Sequence, residues 1–172
     1  MIIYGKELQK FEKFFDDKTY LEVYNYAYTR WKENANNFQT NFTWSETVTK
    51  DSAVILTHQL YEGEDIYEKI KETVKERIGL DKFTYMFLFY YTPGAHIPWH
   101  TDQEYKNGAL TIYLNYDWDK DTGGLFLYND GEGIKALVPE GNLGVYQPDG
   151  MWHAVSCLSR CANIRMSIQI FL

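Results

Sequence analysis

Tyr85-Met86-Phe87-Leu88-Phe89-Tyr90-Tyr91, closed by Thr92-Pro93-Gly94, reads as a short, ring-rich strand running into a tight turn. The same pattern recurs downstream at Ala109 to Asn115, Leu125 to Tyr128, Ile134 to Val138, Leu143 to Tyr146 and Ile164 to Phe171. Turn signals at Gly123-Gly124, Asn129-Asp130-Gly131 and Pro148-Asp149-Gly150 separate these runs. Many short, mostly antiparallel strands of this kind predict a double-sheet jelly roll.

Upstream the period changes to that of a helix. Tyr20, Tyr24, Tyr28 and Trp31, with Val23 and Ala27 beside them, recur at spacings of three and four and predict a helix from Thr19 to Trp31. Ile66, Ile70, Val74 and Ile78 fall at steps of four and predict a second helix, with Asp65 as its cap, Glu68 completing a capping-box-like pair and Gly79 at its exit. The expected fold is α+β, mainly β: one domain over 1–172, with helical support over about 1–82 and a jelly-roll core over about 83–172. The polar segment from Asn37 to Lys50 has the weakest periodicity and is expected to form a loop or lid near the site.

Aromatic content of 17%, with fifteen tyrosines and five tryptophans, favours a sheet-rich interior in which the polar ends of rings find partners. A net charge of -7 argues against a large phosphate-binding surface, so nucleic acid is a disfavoured partner. The N-terminal stretch becomes charged too soon for a secretory signal and no run approaches membrane-spanning length, so no membrane partner is expected and a soluble cytoplasmic protein is. Cys157 and Cys161 are read as ordinary thiols, since a zinc site would need two further ligands nearby.

The candidate chemistry lies in His100-Thr101-Asp102, in His153 and in Arg165. In a strand, residues i and i+2 share a face, so His100 and Asp102 can grip one ion while Thr101 points away. His153, after Pro148-Asp149-Gly150, is expected to open another strand and to bring a second imidazole opposite the first pair. Two imidazoles and a carboxylate form the facial triad that holds Fe(II) with open positions on the other face. His-x-Asp alone is a weak motif, and the whole constellation carries the reading. Arg165 shares a strand face with Ser167 and Gln169, and its guanidinium offers a bidentate fork for a carboxylate. Tyr113 is a candidate second contact to that carboxylate, because a buried phenol needs a hydrogen-bond partner. Of Tyr90 and Tyr91 only one can point inward, and alternation does not say which. His58 and His96 receive no role.

From Phe83 to Phe171 the chain resembles the prolyl-hydroxylase-type branch of the Fe(II)/2-oxoglutarate-dependent dioxygenases. The resemblance rests on Tyr91-Thr92-Pro93-Gly94, His100-Thr101-Asp102, Ile112-Tyr113-Leu114-Asn115-Tyr116-Asp117-Trp118, Gly123-Gly124-Leu125, His153 and Arg165, in that order. It implies a double-stranded β-helix with iron held by His100, Asp102 and His153. It also implies that 2-oxoglutarate chelates the iron while Arg165 and Tyr113 hold its far carboxylate, and it favours Tyr91 as the inward tyrosine. O₂ is the implied co-substrate, with ascorbate as an accessory. Arginine at 165 departs from the collagen-type enzymes, which usually place lysine there.

The expected activity is hydroxylation of an unactivated carbon, foremost a prolyl residue of a peptide or protein. A free amino acid or other small-molecule substrate is the alternative within the same chemistry. A nucleic-acid dealkylase is disfavoured by charge. A non-catalytic jelly-roll ligand-binding module would leave an intact ligand set unexplained, and a metal hydrolase would leave the arginine and tyrosine without a task.

Overall fold

Strict alternation along two central strands divides the molecule into a helix-covered side and a cleft side. The computed structural model describes residues 7–33, 39–40, 51–102, 105, 107–160 and 162–172. In chain order the strands are β1 (Gln9–Phe11), β2 (Gln39–Thr40), β3 (Ile55–Leu60), β4 (Tyr85–Tyr91), β5 (Ile97–His100), β6 (Ala109–Tyr113), β7 (Phe126–Asn129), β8 (Ile134–Leu137), β9 (Gly144–Gln147), β10 (His153–Val155) and β11 (Arg165–Phe171). Helices α1 (Asp17–Glu33) and α2 (Asp65–Ile78) complete the frame. A seven-stranded sheet runs β1-β9-β6-β11-β4-β3-β2, and a four-stranded sheet runs β5-β10-β7-β8. The pairings are antiparallel, and the two sheets form the jelly-roll core.

One face of the large sheet carries Met86, Leu88 and Tyr90 from β4, Leu110 and Ile112 from β6, and Met166, Ile168 and Ile170 from β11. These bury against Tyr20, Val23 and Ala27 of α1 and Ile70, Val74 and Ile78 of α2. Burial of such side chains stabilises by roughly 1.5–3 kcal/mol each, which fixes the sheet's register against the helices. The opposite faces of the same strands turn toward the small sheet and form the walls of a cleft.

Several sequence-based expectations need correction. The region before residue 83 is not helical throughout: β1, β2 and β3 join the large sheet. In β3, Thr57, His58 and Gln59 interrupt the apolar run and conceal a strand that is buried at Ile55, Thr57 and Leu60. Asp65 is the first residue of α2 rather than its cap. Glu64 takes the cap position without a side-chain hydrogen bond, and the Glu68 carboxylate accepts instead from the Gly63 N–H at 2.9 Å. Gly79 ends that helix with φ 78°, as expected. On α1 the buried stripe is Tyr20, Val23 and Ala27, whereas Tyr28 is exposed and stacks on Tyr24. Apart from β2, the segment from Asn37 to Lys50 lies outside the described residues, as does Cys161; Cys157 is an exposed free thiol. Among the described residues, no helix is long and apolar enough to cross a membrane.

Candidate active site

β5 and β10 pair antiparallel with His153 directly opposite His100, which brings two imidazoles distant in sequence to one rim of the cleft. The His100 Nδ1 lies 2.8 Å from the Pro98 carbonyl and the His153 Nδ1 lies 2.9 Å from the Met151 carbonyl. A carbonyl only accepts, so each Nδ1 carries a proton, and in the neutral ring that leaves the Nε2 lone pair free to ligate. Asp102 follows two residues after His100, just beyond the end of β5. Its Oδ1 is 3.6 Å from the His100 Nε2 and its Oδ2 is 3.6 Å from the His153 Nε2. These separations are too long for direct hydrogen bonds and suit three donors around a shared ion. The three ligand atoms all lie within 4.8 Å of one another, as a metal site requires. Burial pushes the His153 imidazole down to about 4, with His100 adding to the effect and Asp102 opposing it. The ring is therefore neutral near pH 7, the form that ligates a metal. Phe126 stacks against it at 5.5 Å and closes one side.

Arg165 opens β11 on the cleft face and is only 2% exposed. Its guanidinium carbon sits 4.5 Å from the Tyr91 ring centre and 5.0 Å from that of Tyr113. Among the described residues no carboxylate lies within ion-pair distance of it, and both the Arg165 Nε and the Tyr113 hydroxyl are buried without a hydrogen-bond partner. Leaving such groups unmade is costly, so a fixed cation beside an unanswered phenol fits an incoming carboxylate. Burial pushes the Tyr113 phenol up to about 12, opposed by the Arg165 cation, so Tyr113 stays a proton donor. Burial raises Tyr91 likewise, again against Arg165. Tyr90 points the other way, donating its hydroxyl to the Ala27 carbonyl at 2.9 Å and stacking on Trp31. One cleft is lined by His100, Asp102 and His153 together with Tyr91, Tyr113 and Arg165.

Other residues build this site without having been singled out as site residues in the sequence. The Asn115 carboxamide accepts from the Met166 N–H at 2.6 Å and donates to the Ile164 carbonyl at 2.7 Å, gripping the backbone on both sides of Arg165. Gly124 gives that arginine room: a Cβ there would lie 3.0 Å from the Arg165 Cδ and 3.0 Å from a Leu158 methyl, at a φ of +65°. The Gly-Gly pair thus serves the arginine, and Trp118 anchors it by donating to the Gly123 carbonyl at 2.9 Å. Gln147, on β9, donates to the Asp102 Oδ2 at 2.6 Å. Thr111 donates to the Gln169 Oε1 at 2.6 Å across the cleft floor. His96 and His58 do not join the metal-ligating group.

The model of the 2OG-Fe(II) oxygenase superfamily matches residues 85–172, and the chain belongs to that family. Fe(II) and 2-oxoglutarate are accordingly its cofactor and co-substrate. No curated protein sequence matches the chain. Among solved structures it is similar to a prolyl-4-hydroxylase from Pseudomonas putida, at 16% identity and TM-score 0.72 over 97% of this chain and 92% of that one. It is similar also to a Trichoplax adhaerens prolyl hydroxylase in complex with a hypoxia inducible factor oxygen degradation domain peptide fragment, at 14% identity and TM-score 0.78 over 97% and 83%. A third is the viral collagen prolyl hydroxylase of Paramecium Bursaria Chlorella virus-1 in its 2OG complex, at 15% identity and TM-score 0.66 over 99% and 98%. At such identities the likeness is one of fold.

Proposed function

We propose that this oxygenase hydroxylates an unactivated carbon of a residue embedded in a peptide or protein, with a prolyl residue as the leading substrate. His100, Asp102 and His153 would hold the iron through the two Nε2 atoms and a carboxylate oxygen. Arg165 and Tyr113 would hold the far carboxylate of 2-oxoglutarate, with Tyr91 stacked on the guanidinium. When bound, the iron and 2-oxoglutarate supply the oxidising chemistry, coupling decarboxylation of the co-substrate to oxygen insertion into a C–H bond. The chain's own task is to orient and to exclude water. Two carbonyl-bound imidazoles fix the ligand directions, the Asn115 grip fixes the arginine, and Phe126 with Val155 and Ile97 dries the wall between them.

The charge of the cleft carries the choice of substrate class. Beyond the triad and Arg165, the polar side chains among its described lining residues are neutral: Thr111, Tyr91, Tyr113, Gln147, Ser167 and Gln169. A free amino acid brings an ammonium and a carboxylate, each of which needs an opposite charge once desolvated. A residue within a polypeptide brings only neutral amides, which need no opposite charge in the cleft. The Trichoplax adhaerens enzyme, solved with a peptide fragment, is consistent with that reading. The test is an anaerobically reconstituted enzyme given 2-oxoglutarate, O₂ and either proline-containing peptides or free amino acids, read by mass spectrometry. One-oxygen mass gain in peptides alone is the expected result; turnover of free amino acids with unmodified peptides would overturn the proposal.

A further inference from the structure

We infer that Gln147 is the positioning residue for Asp102, holding the carboxylate Oδ2 away from the metal so that Oδ1 alone ligates. This rests on the assignment of His100, Asp102 and His153 as the metal ligands. Gln147 ends β9 on the large sheet, whereas both histidines belong to the small sheet, so its side chain crosses the cleft to reach them. It is 3% exposed, and its Nε2 lies 2.6 Å from the Asp102 Oδ2. An ionised carboxylate only accepts, which settles the direction of the bond and the rotamer of the amide. Among the described residues this is the one hydrogen bond made to the Asp102 carboxylate, and Asp102 itself stands beyond the end of β5, where no ladder restrains it.

The same nitrogen lies 3.2 Å from the His153 Nε2, whose lone pair faces it because the Nδ1 proton is committed to the Met151 carbonyl. A metal at the triad claims that lone pair, so the contact to His153 must be given up on loading. The bond to Oδ2 need not be, since a carboxylate has a second oxygen for the ion. Loading would therefore leave the amide to Asp102 alone, with Oδ2 held by Gln147 and Oδ1 free to ligate. Partners of this kind, which orient metal-bound groups, characteristically change metal affinity by about 10–100-fold when removed.

The experiment uses the full chain, anaerobic, with Mn(II) titrated by the electron paramagnetic resonance of the free ion and Co(II) followed by its visible d–d bands. Gln147→Met keeps length and bulk while deleting the donors. It should weaken Mn(II) binding about 10–100-fold and shift the Co(II) bands as Oδ2 enters the coordination sphere. Where Gln147→Met does not fold, Gln147→Asn withdraws the amide by one methylene with its polarity kept and carries the same expectation. Unchanged affinity in a variant that melts like wild type overturns the inference. Tighter binding overturns it also, making the amide a competitor for His153, and weaker binding with unchanged Co(II) bands reduces the role to a structural one. His153→Ala separates this failure from failure of the metal assignment: retained metal binding there refutes the ligand set itself.

Discussion

Replacing Arg165 with methionine should abolish tight 2-oxoglutarate binding while leaving the fold as stable as before, or more so. The guanidinium is 2% exposed and no described carboxylate pairs with it, so its desolvation is answered chiefly by two tyrosine rings at 4.5 and 5.0 Å. Desolvating a cation costs several kcal/mol, and a desolvated cation–π contact returns about 2 kcal/mol, so the two rings offset at most ~4. Methionine keeps the unbranched stem packed along Gly124 and Leu158 and brings no charge to desolvate. The metal-free Arg165→Met protein should therefore melt at or above the wild-type temperature, each kcal/mol gained adding roughly 2–4 °C. The co-substrate loses a charge-assisted contact worth about 2–5 kcal/mol, or roughly 30-fold to several thousand-fold in Kd. The assay is calorimetric titration of the Mn(II) protein with 2-oxoglutarate beside thermal melting in chelator. A Kd within about threefold of wild type, a difference under roughly 1 kcal/mol, would refute the carboxylate role. A fall in Tm of about 8 °C or more would show the cation to be a structural support rather than a stored cost.

The remaining expectations concern neighbouring parts of the site. His100→Ala or Asp102→Ala should remove metal binding, read by Mn(II) titration, with the circular dichroism of the sheet retained; normal turnover in either variant would sink the ligand assignment. Asn115→Leu leaves the Met166 N–H buried without its acceptor and should destabilise the protein by about 1–3 kcal/mol, with weaker 2-oxoglutarate binding as β11 shifts. In Gly124→Ala the new methyl meets the Arg165 stem at φ +65°, so 2-oxoglutarate affinity should fall while metal affinity holds; equal loss of both would point to general unfolding of the loop. Gln169→Leu, which removes the amide bonded to Thr111, should raise KM for a peptide substrate with little change in that for 2-oxoglutarate.

The triad was legible, and Arg165 stood out beside it, because their chemistry is confined to few residue types. Four histidines in the chain leave few ways to assemble a metal site, and Arg165 is a cation flanked by apolar neighbours. Tyr91 over Tyr90 was open to alternation alone, since both are nearly fully buried and differ only in which side of the sheet they serve. Gln147, Asn115 and Thr111 were invisible as site residues for a related reason. Amides and hydroxyls suit loops, turns and surfaces equally well, and only the pairing of β9 with β6 and of β6 with β11 places Gln147 and Thr111 in the cleft, while Asn115 lies against the backbone beside Arg165. β3 escaped because its polar centre breaks the apolar pattern, although its neighbour β4 buries both its faces.

The pairing of β11 with β4 and β6 also explains why Arg165 is held by the large sheet rather than by a loop. Along β11 the residues alternate between Arg165, Ser167 and Gln169 in the cleft and Met166, Ile168 and Ile170 in the helix-covered core. A slip of one residue would drive a guanidinium under α1 and α2 and turn three apolar side chains into the cleft, so every apolar contact behind the sheet also holds Arg165 in place. The Asn115 carboxamide strengthens that lock at the end of β11 nearest the arginine. The metal ligands lack such backing: Asp102 lies beyond its strand, and the His153–Val155 pairing with β5 carries a register shift. A side chain reaching across from the rigid sheet, as Gln147 does, is the means by which the well-fixed half of the site can order the other.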